Sequence, residues 1–264
     1  MRVHHLNCAT MRPPLAPVMV AHVLLVERDE GLLLVDTGFG TGDVADRRRL
    51  GRPFAALVRP DLDPAETAAA QVAARGFDSA DVTDIALTHL DLDHAGGLAD
   101  FPQARVHVFG AELDAATAPR LSERARYVAA QWAHGPQWVR HDEPGDHWFG
   151  FPAVQALSDD VLLIPLPGHT RGHCGVAVRR ADGHWLLHAG DAFFDGRQVL
   201  SPARCHPALG GFQVLMATSN RQRRENLARL QELAAGHRED ITVFCAHAKA
   251  TYDRLAAAAA AERS

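Results

Sequence analysis

Two histidines and two aspartates fall within six residues at His89-Leu90-Asp91-Leu92-Asp93-His94. Imidazole and carboxylate are the donors that a borderline or hard divalent cation takes. A loop carrying these residues cannot be a regular strand buried in an apolar core, because its ionised carboxylates would go uncompensated without a cation. Three further segments share this chemical character: Pro167-Gly168-His169-Thr170-Arg171-Gly172-His173, Gly190-Asp191 and Ala246-His247. Together they point to a metal site.

Each segment follows a short apolar run that reads as a strand. Asp84–Thr88 precedes the first segment, Val161–Leu166 the second, His184–His188 the third and Ile241–Cys245 the fourth. Side chains leaving rigid strand ends can converge with the precision that a metal site requires. Upstream, Val18–Val26 and Gly31–Asp36 read as a hairpin that runs into Thr37-Gly38-Phe39-Gly40. Asp63-Pro64-Ala65-Glu66 reads as a capped helix start with Glu66 completing a capping box, and Gly76 reads as its stop. Arg105–Phe109 and Cys174–Arg179 read as strands, Ala111–Ala133 as helical and Trp132–Phe151 as an irregular excursion. A helix over about Ser219–Ala235 and an alanine-rich closing helix complete the pattern, which suits one domain over 1–264 with strands and helices mixed.

Bulk composition narrows the class. A hydrophobic fraction of 47% and a charged fraction of 22% are ordinary for a soluble globular protein. The net charge of -5 argues against a nucleic-acid partner, which calls for a basic excess. No apolar run approaches the roughly 20 residues that span a bilayer, and the N-terminus lacks the apolar stretch of a secretory signal. The expectation is therefore a cytoplasmic protein with a small-molecule substrate and no membrane partner; a homodimer is compatible with this. Cys8, Cys174, Cys205 and Cys245 have no CxxC spacing and read as reduced thiols. Histidine is abundant, 16 in 264 residues, so spacing must decide which ones matter.

In order along the chain, Asp36-Thr37-Gly38, His89/Asp91/Asp93/His94, Gly168-His169-Thr170-Arg171-Gly172-His173, Gly190-Asp191 and His247 resemble the motif series of the metallo-β-lactamase superfamily. The likeness spans nearly the whole chain and is nearest to the N-acyl-homoserine-lactone lactonase-like branch. It implies an α+β fold, a four-layer αββα sandwich with metals at one edge. It also implies one metal held by His89, Asp91 and His169, a second held by Asp93, His94 and His247, and Asp191 bridging the two. The implied activity is a metallo-hydrolase that opens an ester, lactone or related carbonyl bond with a metal-bound hydroxide at a dinuclear site. In this scheme Asp93 also orients the nucleophile or receives its proton, and Asp36 fixes a ligand imidazole. Two divalent ions are implied, zinc first.

The pattern is broken at three positions. Asp91 stands where the family has His, so direct ligation, ligation through water and a weakened site are all open, and iron or manganese becomes a candidate. Phe194 stands where the lactonases carry a Tyr whose hydroxyl assists at the substrate carbonyl, and Ala248 replaces an Asp common in many members. The competing functions are an iron-dependent oxidoreductase or dioxygenase and a non-catalytic metal-binding member. Trp132, Trp138, Trp148 and Phe149 are candidates for an apolar lid or for ordinary packing. His173 reads as a supporting residue, and His22 and His188 as core histidines.

Overall fold

The computed structural model describes residues 1–142 and 145–262. In chain order the strands are β1 (Arg2–Met11), β2 (Met19–Arg28), β3 (Gly31–Val35), β4 (Val82–Ala86), β5 (Arg105–Phe109), β6 (Gln137–His141), β7 (His147–Trp148), β8 (Phe151–Pro152), β9 (Val154–Ser158), β10 (Val161–Pro165), β11 (Cys174–Arg179), β12 (Trp185–His188) and β13 (Ile241–Phe244). The helices are α1 (Thr41–Ala45), α2 (Arg52–Val58), α3 (Ala68–Ala73), α4 (Gly110–Thr117), α5 (Pro207–Met216), α6 (Asn220–Gly236) and α7 (Lys249–Ala261). None of the described helices is long and apolar enough to cross a membrane.

Strands β1 to β6 form one sheet in sequence order, antiparallel up to β3 and parallel from β3 to β6. A second sheet has the order β13-β12-β11-β10-β9, with only the β12–β13 pair parallel. The two-residue alternation of strand side chains sorts the apolar residues into layers. Leu24, Val26, Leu33 and Val35 face Leu163, Val176, Val178 and Phe244 between the sheets. Leu25, Leu32 and Leu34 point the other way, onto Ala68 and Val72 of α3 and Ala115 of α4. On the far side, Ile164, Ala177 and Leu187 pack on Leu230 and Leu233 of α6. Burial on both faces explains why these strands read as unbroken apolar runs rather than alternating ones. Each fully buried Leu or Val contributes about 1.5–3 kcal/mol. The result is the helix–sheet–sheet–helix sandwich that the motifs imply.

The metal-type segments all leave the C-terminal ends of β4, β10, β12 and β13. Backbone bonds across the sandwich fix that rim: Cys174 donates to the Thr88 carbonyl at 2.9 Å, and His22 to the Ala246 carbonyl at 3.0 Å.

Several local expectations change. Asp63 caps only a 3-10 turn, Pro64–Glu66, and α3 starts afterwards from Thr67, whose hydroxyl accepts from Ala70. No capping box forms, because Glu66 instead accepts from the backbone and hydroxyl of Thr10 at 2.7 and 2.6 Å and from Asn7 at 3.1 Å. The helix expected over Ala111–Ala133 stops at Thr117, where Ala118-Pro119 ends it. The excursion Trp132–Phe151 supplies strand β6, which closes the parallel edge of the first sheet, and the small β7–β8 hairpin. Strands β1 and β9 and helices α1, α2 and α5 add to the elements that the sequence pattern marks.

Candidate metal centre

At the rim, His89, Asp91, His169 and Asp191 bring ligand atoms within 4.8 Å of one another, and Asp93, His94 and His247 form a second such group. In the first group, Nε2 of His89 lies 3.4 Å from Oδ2 of Asp91 and 3.8 Å from Oδ2 of Asp191. Nε2 of His169 lies 2.9 Å from Oδ2 of Asp91 and 3.3 Å from Oδ2 of Asp191. Oδ1 of Asp191 turns to the second group, 3.4 Å from Nε2 of His94 and 3.0 Å from Nε2 of His247. Asp93 approaches His247 at 3.7 Å. Donors about 2.1 Å from a tetrahedral cation stand about 3.4 Å apart, so these spacings suit the edges of two coordination shells sharing Asp191.

The donor atoms are also orphaned. Among the described residues, Nε2 of His89 and His94 and Oδ1 of Asp191 are buried with no hydrogen-bond partner. Buried polar atoms are nearly always satisfied, so three unsatisfied atoms facing one space match what a cation would take up. All seven residues are less than a tenth exposed.

Behind the donors, a set of hydrogen bonds fixes each ring. Asp36 follows β3 with φ 59°, a left-handed conformation that Asp tolerates better than most residues. Its carboxylate accepts from the Thr88 amide and hydroxyl, both at 2.7 Å, and from Nδ1 of His94 at 2.8 Å. The Thr88 hydroxyl also meets Nδ1 of His89 at 2.9 Å, and Nδ1 of His247 donates to the Val20 carbonyl at 2.9 Å. Three imidazoles are thereby held with Nε2 facing the site. His173 cannot be a ligand in this arrangement: Nδ1 donates to the Leu166 carbonyl at 3.0 Å and Nε2 accepts from the Asp191 amide at 2.9 Å. Gly190 makes that contact possible, since a Cβ there would stand 2.6 Å from Nε2 of His173.

Two supporting residues carry no motif. Glu112 on α4 is fully buried, and its carboxyl oxygens accept from the Leu90 amide (2.9 Å), the Tyr127 hydroxyl (3.2 Å), the Thr170 hydroxyl (2.6 Å) and the Gly172 amide (3.2 Å). It therefore ties the first His/Asp segment to the His169 loop. Arg126, also buried, places Nε 3.3 Å from Oδ1 of Asp91. The extra carboxylate at Asp91 was the one available signal for it, because a buried charge calls for a partner. Nothing in the sequence around Glu112 marks it.

The electrostatics follow from this crowding. Burial would raise the Asp91 carboxyl, but Arg126 and His89 outweigh it and hold that group well below the usual carboxylate range. Burial likewise opposes ionisation of Asp191, and His247, His94 and His169 reverse it. His94 is pushed well above the ordinary imidazole value: burial works against this, and Asp191, Asp36 and Asp93 prevail. Positive charge is favoured where the two groups meet. His169 goes the other way, down to about 4, through burial and Arg126.

Above the donors lies a narrow cavity of ≈ 60 Å³ walled by Met11, Met19, Phe54, Val58, Phe212 and Met216. Phe194 is buried in its wall, its ring 5.8 Å from that of His169 and 5.0 Å from that of His247. A larger apolar groove of ≈ 380 Å³ shares Phe212 and continues outward past Leu15, Leu57 and Leu215. The candidate lid aromatics are not part of this wall. Trp132 and Trp138 pack on the core under the first sheet, and Trp148 joins the core against α6, with Phe149 edge-on to it. His22 and His188 are core residues; Nε2 of His22 lies 2.7 Å from Nδ1 of His5.

A two-sheet sandwich with paired His/Asp clusters at one rim defines a class of metal-binding fold. Residues 16–237 match the model of the metallo-β-lactamase superfamily, and the chain belongs to that family. It is 46% identical over 250 residues to a probable metallo-hydrolase of Mycobacterium tuberculosis (strain ATCC 25618 / H37Rv), covering 93% of this chain and 80% of the relative. It is 30% identical over 178 residues to an N-acyl homoserine lactonase of Rhizobium johnstonii, covering 64% of each. In fold it is similar to an N-acyl homoserine lactone hydrolase solved with the product N-hexanoyl-L-homoserine bound at its catalytic metal centre. That match has TM-score 0.74 and 18% identity, over 96% of this chain and 95% of that one.

Proposed function

We propose that the protein is a metal-dependent hydrolase that opens an ester, lactone or related carbonyl bond at a dinuclear site, on a small molecule with an apolar substituent. The observation that carries this reading is the pair of buried donor clusters sharing Asp191, with three of their donor atoms unpartnered. His89, Asp91 and His169 would hold one divalent ion and Asp93, His94 and His247 the other, with Asp191 between them. Zinc suits the imidazole majority, and the three carboxylates leave iron or manganese open. Ions so bound supply an activated water near neutral pH and polarise the carbonyl.

The chain's own residues then bind and orient. The Met and Phe wall excludes water and receives the apolar part of the substrate. Asp93, at the edge of the second cluster and lining the cavity, is placed to orient the attacking water and accept its proton. Phe194 offers no hydrogen-bond donor, so this side chain gives no assistance at the substrate carbonyl. The lactonase named among the relatives and the product-bound structure support a carbonyl substrate, and the probable metallo-hydrolase supports the broader class.

The test is turnover of a panel of lactones, aryl esters, thioesters, phosphoesters and β-lactams by the metallated protein, beside Asp191→Asn. Turnover of a carbonyl substrate that disappears in the variant supports the reading; no turnover of any member defeats it. The carboxylate of Asp91 favours one second reading, an iron-dependent oxidoreductase. Iron-dependent oxygen uptake would support that, and full activity with zinc alone would exclude it.

A further inference from the structure

Three buried carboxylates, Asp91, Asp93 and Asp191, face the two metal positions of the proposed hydrolase, and the remaining donors are imidazoles. Against two divalent ions that leaves a single net positive charge, which weakens the site's pull on a carbonyl oxygen. A second positive charge is built in beside it. The Arg126 side chain is 7% exposed, and among the described residues its one ion pair is with Asp91, Nε to Oδ1 at 3.3 Å. Its other nitrogens are fixed on backbone: Nη1 donates to the His169 carbonyl at 2.9 Å and Nη2 to the Met216 carbonyl. The guanidinium is planar and permanently charged, so these two anchors fix the position of Nε. Each nitrogen thus has a protein neighbour: the Asp91 carboxylate for Nε and a backbone carbonyl for each of Nη1 and Nη2.

We propose that Arg126 is a positioning residue for the first metal position: it holds Asp91 through Oδ1 so that Oδ2 faces the metal, and it offsets the charge that this carboxylate adds. The Asp91–Arg126 pair then acts as one ligand of zero net charge. Oδ2 is the oxygen nearest Nε2 of His89 and His169, at 3.4 and 2.9 Å, as a ligand atom in their group must be. Oδ1 makes no aligned hydrogen bond, so the link to Arg126 is chiefly one of charge. Removing either partner strands the other as an uncompensated buried charge. An Arg126 left without Asp91 would also repel the incoming cation.

The inference rests on metal binding at this site, and a chelator-competition titration of zinc tests it directly. Asp91→His alone should bind the first-position ion at least tenfold more weakly than the native chain. Adding Arg126→Met to Asp91→His should recover at least that tenfold, although it removes a second native side chain. Asp91→Asn with and without Arg126→Gln repeats the comparison at nearly constant shape, with circular dichroism of each metal-free variant as the folding control. The cobalt absorption spectrum of the double variants should regain the intensity lost in the single ones, which a merely structural role for Arg126 would not produce. Unchanged affinity in both Asp91 single variants, or no recovery on removing Arg126, overturns the proposal. A native chain that takes up no metal overturns both this and the hydrolase reading; stoichiometric metal without carbonyl turnover defeats only the latter.

Discussion

Glu112 offers a sharp test of how the site is held, because it makes no contact with the proposed ligands' donor atoms. Its carboxyl accepts four hydrogen bonds from three segments: Leu90 in the first His/Asp loop, Thr170 and Gly172 in the second, and Tyr127. In Glu112→Gln the amide nitrogen cannot accept. Placed toward Thr170 it can donate to that hydroxyl, which leaves mainly the Gly172 amide unpaired. Placed toward Leu90 it leaves that amide unpaired instead. One stranded buried donor costs about 1–3 kcal/mol. In Glu112→Ala all four donors lose their acceptor; water entering the space recovers part of this, for a net cost of about 3–5 kcal/mol. Urea denaturation of the metal-free proteins measures both, and a double-mutant cycle with Thr170→Val should give a coupling of about 1 kcal/mol or more. Because the two loops carry His89, Asp91 and His169, zinc affinity should fall about 10–100-fold in the alanine variant. A cost below about 0.5 kcal/mol in Glu112→Gln, with native zinc affinity in Glu112→Ala, would refute the reasoning.

Other outcomes follow from the same structure. Asp36→Asn, which weakens the hold on His94 and Thr88, should lower metal affinity about 10–100-fold, read by chelator competition. Leu230→Ala, in the core against α6, should cost about 2–5 kcal/mol in denaturation while metal stoichiometry is unchanged. Asp84 gives a pH signature. Burial opposes its ionisation, but His107, Arg105 and Arg28 prevail and hold the carboxyl far below its ordinary value. A depressed folded-state value means stability that is present above the unfolded value near about 4 and lost as pH falls further. Asp84→Asn should therefore be less stable than native at neutral pH, and the gap should close below about pH 4 in urea melts across that range.

Much of the site was legible because its chemistry is concentrated in residue type and order. Segments that must present His and Asp at strand ends cannot be disguised as apolar core, and the strands before them are buried on both faces and so read as apolar runs. The parts that escaped have weak local signals. Strand β1 alternates poorly because His4 and His5 are buried along with its apolar residues. Helix α5 carries two glycines and an exposed Leu215, which hides its amphipathic face. Glu66 departs from its capping pattern because its partners, Thr10 and Asn7, lie far back in the chain, beyond the reach of local pattern. Glu112 and Arg126 belong to the same kind: long-range contacts decide their roles, and a single sequence does not display them. Arg223 likewise is buried, between the exposed Arg221 and Arg224.

In the proposed function, two metal ions sharing Asp191 would make this chain a carbonyl hydrolase. Zinc titration of the metal-free protein, following hydrolysis of whichever lactone or ester the panel identifies, tests it most directly. Activity should be absent without metal, rise with added zinc and level off at two ions per chain. Hydrolysis that is indifferent to metal, or that saturates at one ion with the second cluster removed by His247→Ala, would contradict it.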